Sequence, residues 1–210
     1  MITKTINLYT FDELTDDAKE RARQWWRDCE NQDFGGHGEL NEPIETAARI
    51  LGITLKTHDV PLMSGKSRQE TCVWWTLHTQ GAGASFDGTY SYATGSSKAI
   101  RAEFPQDKVL HEIADGLAEI QKRYAYKVTA LIKADSRGHF LDVEFGLDSV
   151  TPKDITCADD EAMREFLRDF ARWIYKYIDA EYSYRMEDEN VDDAMRANEY
   201  TFTANGKRED

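Results

Sequence analysis

Leu14, Ala18, Ala22, Trp25 and Cys29 recur at the spacing of one helix face, which predicts a helix over about residues 14–30. Thr10 and Glu13 precede it as a capping-box pattern, and Ile6, Leu8 and Tyr9 mark a short strand before that. Gly35, Gly36 and Gly38 predict a loop over 31–40. A short helix follows, with Asn41 as its cap and Pro43 in its first turn. Ile44, Ala47, Ala48 and Leu51 form its apolar face, and Gly52 stops it. The period then changes. Residues 53–60, 71–79 and 84–93 alternate and are rich in β-branched and aromatic side chains, with turn segments at 61–69 and 81–83. Helical spacing returns at 96–104, which Pro105 ends. It resumes after the cap Asp107, with Val109, Ile113, Leu117, Ile120 and Tyr124 on the buried face. A hairpin over 127–134 and 139–147 turns at Ser136, Arg137 and Gly138. Beyond Pro152, Met163, Phe166, Phe170, Ile174, Tyr177 and Ile178 predict a helix from about 158 to 184. A shorter helix near 188–197 and a strand over 199–203 close the chain.

The order β-αα-βββ-αα-ββ-αα-β joins neighbouring strands by hairpins and sets helices in pairs. The expected fold is therefore α+β: a single domain over 1–210, with a largely antiparallel sheet and paired helices. Trp74 and Trp75 are adjacent on a strand and must point to opposite faces. With about six helices available, the expectation is that helices cover both faces; the alternative is one exposed indole acting as a contact anchor.

Charge separates the ends of the chain from its middle. Residues 11–45 hold 11 acids and 4 bases, residues 154–199 hold 14 acids and 6 bases, and the intervening 46–153 hold 12 and 13. In the first half of the long helix, Glu161/Arg164, Glu165/Arg168 and Asp169/Arg172 balance one another at i,i+3 spacing. From Asp179 to Asp193 there are seven acids (Asp179, Glu181, Glu187, Asp188, Glu189, Asp192 and Asp193) against the single base Arg185. These seven are the candidate partner-binding residues. They follow the long helix's apolar stripe, so neutralising Glu187, Asp188, Asp192 and Asp193 is expected to slow association and leave the fold intact. Such a surface repels nucleic acid and suits a protein partner with a basic surface; the plainer reading is that it keeps the chain soluble.

No catalytic or metal constellation of comparable strength is present. Gly65-Lys66-Ser67 lacks the first glycine of a phosphate-binding loop, because Val60 stands there. Asp188, Asn190, Asp192 and Glu199 match a calcium loop in part, but Asp193 replaces the essential glycine and Arg196 falls at a ligand position. Asp142 and Glu144 share one strand face, and Asp87 could join them as acid/base groups or metal ligands. A solvated polar sheet face explains the same alternation. His37, His58, His78, His111 and His139 are scattered, and nothing points to a cofactor. Cys29, Cys72 and Cys157 are isolated and odd in number, which favours a reducing compartment. With no signal-peptide core and no apolar run near the roughly 18 residues of a membrane span, a cytoplasmic location is expected.

Tyr9-Thr10-Phe11-Asp12-Glu13-Leu14 with Ala18-Lys19-Glu20-Arg21-Ala22, Gly83-Ala84-Ser85-Phe86-Asp87-Gly88-Thr89-Tyr90, Pro105-Gln106-Asp107 with His111-Glu112-Ile113-Ala114, and Ala197-Asn198-Glu199-Tyr200-Thr201-Phe202 form a further pattern. It resembles a family of uncharacterised phage and prophage proteins of proteobacteria, often labelled "antitoxin of toxin–antitoxin stability system". The resemblance runs over nearly the whole chain and implies an origin on a mobile element, with no site residues attached. The expected function is a non-enzymatic, phage-encoded binding protein in the host cytoplasm. It would inhibit a host factor such as a nucleic-acid-binding defence complex, in the manner of an anti-CRISPR or a DNA mimic. Mimicry requires both acidic segments on one face. The alternatives are an antitoxin that occludes a cognate toxin and a carboxylate- or metal-dependent enzyme using Asp87, Asp142 and Glu144.

Overall fold

The computed structural model describes residues 6–34, 40–63, 65–78, 81–134, 141–147 and 155–209. Residues 35–39 of the predicted glycine loop, the Ser136–Gly138 turn, Pro152, His37 and His139 lie outside them, and residues 31–33 of that predicted loop are helical. The fold is α+β, and every described strand pair is antiparallel. Two compact units are distinguishable: Met1–His37 with Asp179–Asp210, and Gly38–Ile178.

The first unit opens with strand β1 (Tyr9–Thr10) and a 3-10 turn (Phe11–Glu13), continues into helix α1 (Asp16–Asp33), and ends in helix α6 (Asp188–Ala197) and strand β10 (Thr201–Phe202). Glu13 reaches back as read, its carboxylate accepting from the Thr10 backbone N–H at 2.8 Å and from its hydroxyl at 2.9 Å, but the turn so closed is the 3-10 turn, and α1 starts separately after Thr15. Strand β1 is shorter than predicted, and Ile6 and Leu8 are exposed. It pairs with β10 through Tyr9–Phe202 and Thr10–Thr201. Phe11, Leu14, Ala18 and Ala22 pack with Val191, Met195 and Phe202, and Trp25, Trp26 and Tyr200 cover that core. The apolar face of α1 ends there, so Cys29, expected on the stripe, is exposed.

In the second unit, helix α2 (Asn41–Leu51) buries Ile44, Ala47, Ala48 and Leu51, as its spacing predicts. Gly52 terminates it at φ +84°. A Cβ there would lie 2.0 Å from the Ser91 carbonyl oxygen, so only glycine fits. The strands predicted over 53–60 and 84–93 are each broken in two, and the one predicted over 71–79 begins earlier, at Ser67 inside the segment predicted as a turn, and is interrupted at Cys72. They become β2 (Ile53–Leu55) and β3 (Thr57–Pro61), β4 (Ser67–Thr71) and β5 (Val73–Thr76), and β6 (Gly83–Phe86) and β7 (Gly88–Ser91). These pair as β2·β7, β3·β4 and β5·β6. The hairpin β8 (Val128–Ala134) and β9 (Leu141–Leu147) extends the first pair into a four-stranded sheet, β2-β7-β8-β9.

Helices α3 (Ser96–Glu103), α4 (Lys108–Arg123) and α5 (Cys157–Met186) complete the set; the last turns of α5 belong to the first unit. Asp107 caps α4, accepting from the Leu110 N–H at 3.0 Å, and also accepts from the Trp173 indole. The stripe of α4 differs at one end: Leu110 is buried and Val109 is 40% exposed. Gln121 is buried on the same face, where it donates to the Val128 carbonyl at 2.7 Å and accepts from the Val128 N–H at 3.1 Å. Met163, Phe170, Ile174 and Ile178 of α5 are buried as predicted, Phe166 and Tyr177 are only half-buried, Leu167 is buried in addition, and Trp173 joins the core in a stack between Phe170 and Tyr177. No helix among the described residues is long and apolar enough to cross a membrane.

Candidate functional site

The breaks in the three strands fall at Lys56, Cys72 and Asp87, and these residues hydrogen-bond to one another in a ring. The Lys56 N–H donates to the Asp87 carbonyl at 2.9 Å, the Asp87 N–H to the Cys72 carbonyl at 2.9 Å, and the Cys72 N–H to the Lys56 carbonyl at 2.7 Å. Three two-stranded ribbons thus diverge from one point. Every backbone group that the breaks would orphan here finds a partner, as a buried junction requires. The Cys72 thiol is pushed up from its ordinary pKa by burial, with Asp87 adding to the effect. It stays protonated at neutral pH, 3.5 Å from His58 Nδ1.

The Asp87 carboxylate accepts from the Ala134 N–H at 2.8 Å and lies 3.9 Å from Lys56 Nζ. It borders a cavity of about 360 Å³ that also touches Lys133 and Leu131 but, among the described residues, neither Asp142 nor Glu144. Those two face Lys133 and Leu131 across the β8·β9 pair, on the exposed side of the sheet. No group of three or more His, Cys, Asp or Glu side chains placed to hold a metal occurs among the described residues. His111 is engaged with the Phe104 carbonyl at 2.8 Å. Helices do not cover both faces of β5: Trp74 is 40% exposed and Trp75 half-buried, so the exposed-indole alternative describes this strand.

The seven predicted acids lie in the first unit, which carries 18 acids and 9 bases, a net charge of −9 out of the chain's −13. They are not the unpaired run expected. Helices α1 and α6 pack antiparallel, and arginines of α1 reach across to acids of α6. Arg23 grips Asp192 through both oxygens at 2.7 and 2.8 Å. Arg27 pairs with Asp188 and donates to the Met186 carbonyl at 3.2 Å. Arg196 pairs with Asp193 at 2.9 Å and Asp12 at 3.0 Å, and Arg185 pairs with Glu30 at 2.9 Å. The partial calcium-loop pattern is therefore a helix whose Asp188 and Asp192 are already bound by guanidinium groups.

This corrects the expectation that neutralising Asp188, Asp192 and Asp193 would leave the fold untouched. Glu187 and Glu189 are exposed and make no ion pair among the described residues, and Asp17 and Asp28 of α1 are the same. Asp179 and Glu181 are half-buried on α5, and Asp179 is engaged with a neighbour. The unit's other described cations are also committed. Arg21 donates to the Asn205 carbonyl at 2.6 Å, Lys19 lies over Phe11, and Arg208 lies over Trp25 and Tyr200. Lys207 pairs with Glu209.

Against known proteins, residues 38–188 match the family described as a domain of unknown function, DUF8835. The chain belongs to the DUF8835 family. The matched range holds the whole second unit and, of the first, only residues 179–188. No curated protein and no solved structure matches the chain.

Proposed function

We propose that this chain is a non-catalytic binding protein of the cytoplasm that presents its anionic unit to the basic surface of a protein partner. In the form the phage-family resemblance suggests, the partner is a host nucleic-acid-binding complex, and the carboxylates stand where that complex receives phosphates. One observation carries the reading: the described cations of the anionic unit are turned onto its own acids, carbonyls and rings. The excess of nine negative charges is therefore left for the surface. Asp17, Asp28, Glu187 and Glu189 belong to that excess. Asp188 and Asp192 contribute to the field while holding α6 to α1.

The test is affinity capture from a bacterial lysate with the parent chain and with a variant carrying Asp17→Asn, Asp28→Asn, Glu187→Gln and Glu189→Gln. The expected result is a basic protein held by the parent and lost by the variant. Its complex with the parent should dissociate as salt approaches about 1 M, where the screening length is about 3 Å. Equal retention by both chains would show that these charges serve solubility alone.

A further inference from the structure

Helix α2 carries Glu45 and Arg49, one turn apart and in the order that favours an i,i+4 ion pair. Elsewhere the chain makes such pairs: Glu119–Arg123 and Asp160–Arg164 close at i,i+4, and Glu165–Arg168 and Asp169–Arg172 close at i,i+3. Glu45 and Arg49 do not close, and neither has another ionic partner among the described residues. Both line a second cavity of about 360 Å³, between α2, the edge strand β2 and the end of β7. Its remaining wall is mixed: Leu55 and the Tyr92 ring, which packs on Tyr126 at 4.5 Å, with the buried Ala48 and Ile53 behind them, form an apolar part, and Thr54 and Ser91 add polar atoms. Thr71 also lines it, and its buried hydroxyl has no hydrogen-bond partner among the described residues.

We propose that this cavity binds a free α-amino acid with a large apolar or aromatic side chain. Arg49 receives the carboxylate, Glu45 receives the ammonium, and the side chain lies against Ile53, Leu55 and Tyr92. An α-amino acid carries its two charges on a single carbon. A complementary site needs one acid and one base about 5–6 Å apart at Cβ, which is the separation of helix neighbours at i and i+4. The guanidinium matches a carboxylate bidentately, and the apolar part of the wall covers the side chain in a volume typical of small-ligand sites, about 300–1,000 Å³. A lone carboxylic acid would leave Glu45 facing an apolar chain, and a lone amine would leave Arg49 without its counter-ion. Selection for the zwitterion follows.

The experiment titrates the full chain with L-phenylalanine, 3-phenylpropionate and phenethylamine, following the backbone amide shifts of Gly52, Ile53 and Ser91. L-Phenylalanine is expected to give a saturable shift, with each one-charge analogue at least about tenfold weaker. Arg49→Gln should reduce L-phenylalanine to the level of the amine, and Glu45→Gln to that of the acid. Both positions are exposed on α2 and have no ionic partner among the described residues, so neither substitution removes a described ion pair. The comparison of the three ligands on the parent chain stands even if a variant misfolds. Absence of a saturable shift by about 10 mM overturns the proposal. So does equal affinity for L-phenylalanine and its analogues, or an unchanged titration in Arg49→Gln.

Discussion

Asp159 begins the long helix α5 and is almost fully buried, yet it is ionised because three neighbours hold the charge. The Tyr124 hydroxyl donates to its carboxylate at 2.7 Å, Arg123 pairs with it, and Thr156, whose hydroxyl accepts from the Asp159 backbone N–H at 3.2 Å, also favours the charged form. The hydrogen bond from Tyr124 is the largest cause holding this carboxyl below the ordinary carboxylate range. A carboxyl whose folded pKa is depressed stabilises the fold above its unfolded pKa of about 3.9. That stability is lost as pH falls through the folded value. Tyr124→Phe should therefore cost about 1–3 kcal/mol at pH 7 and flatten the fall in stability below about pH 4. Urea unfolding at pH 7, 4 and 2.5 measures both, and an unchanged acid limb in the variant would contradict the assignment. Gly206 makes a second point at this scale. It sits at φ +82°, where a Cβ would lie 2.1 Å from the Ala18 carbonyl oxygen. Gly206→Ala should destabilise the first unit by about 1–3 kcal/mol, read as faster amide exchange at Phe11, Ala22 and Val191.

At the scale of elements, the α1–α6 contact combines an apolar seam with an arginine ladder, and the two parts can be separated by mutation. The Arg23 and Asp192 side chains are only 20% and 15% exposed, and their pairing is bidentate. A double-mutant cycle of Arg23→Gln and Asp192→Asn should return a coupling of about 1–3 kcal/mol. Glu189→Gln, on the same helix but unpaired, should stay within about 0.5 kcal/mol of the parent. If all three substitutions proved neutral, the ladder would be a surface ornament.

The acids of this ladder are legible in the sequence as a charged run. Their partners are not, because Arg23 and Asp192 stand 169 residues apart and their meeting depends on how α1 and α6 pack. The same limit explains the strands. Alternation continues through Lys56 and Asp87, so local pattern predicts unbroken strands there, while before Cys72 it reads a turn where Ser67–Thr71 forms a strand. The break is a property of three chains meeting, visible only in their mutual hydrogen bonds. Gln121 is hidden for a related reason: it is polar in sequence and buried in the fold, because its amide replaces a missing partner of Val128. What local chemistry alone decides was readable, namely the Thr10–Glu13 cap, the Gly52 stop, the Asp107 cap and the core face of α5. At the start of α4 the periodicity of Ile113, Leu117, Ile120 and Tyr124 fits either Val109 or Leu110, and tertiary packing selects Leu110.

For the whole molecule, charge density separates the two units. The first carries −9 over 69 residues and the second −4 over 141. Self-repulsion of that size opposes compaction, while the arginine ladder opposes the repulsion. Salt distinguishes the two effects by range. Raising ionic strength from about 0.01 M to about 0.15 M shortens the screening length from about 30 Å to about 8 Å. Ion pairs such as Arg23–Asp192 at 2.7 Å and Arg185–Glu30 at 2.9 Å lie well inside both lengths and lose little. Repulsions between acids about 10–20 Å apart fall between the two lengths and are largely removed. Added salt should therefore strengthen the first unit, slowing amide exchange at Ala22, Val191 and Met195, and leave Ile113, Leu117 and Ile174 of the second nearly unchanged. The opposite result, with salt loosening the first unit, would mean that its acids are balanced by the ladder rather than in excess of it. The anionic surface would then have too little field to draw a basic partner from a distance.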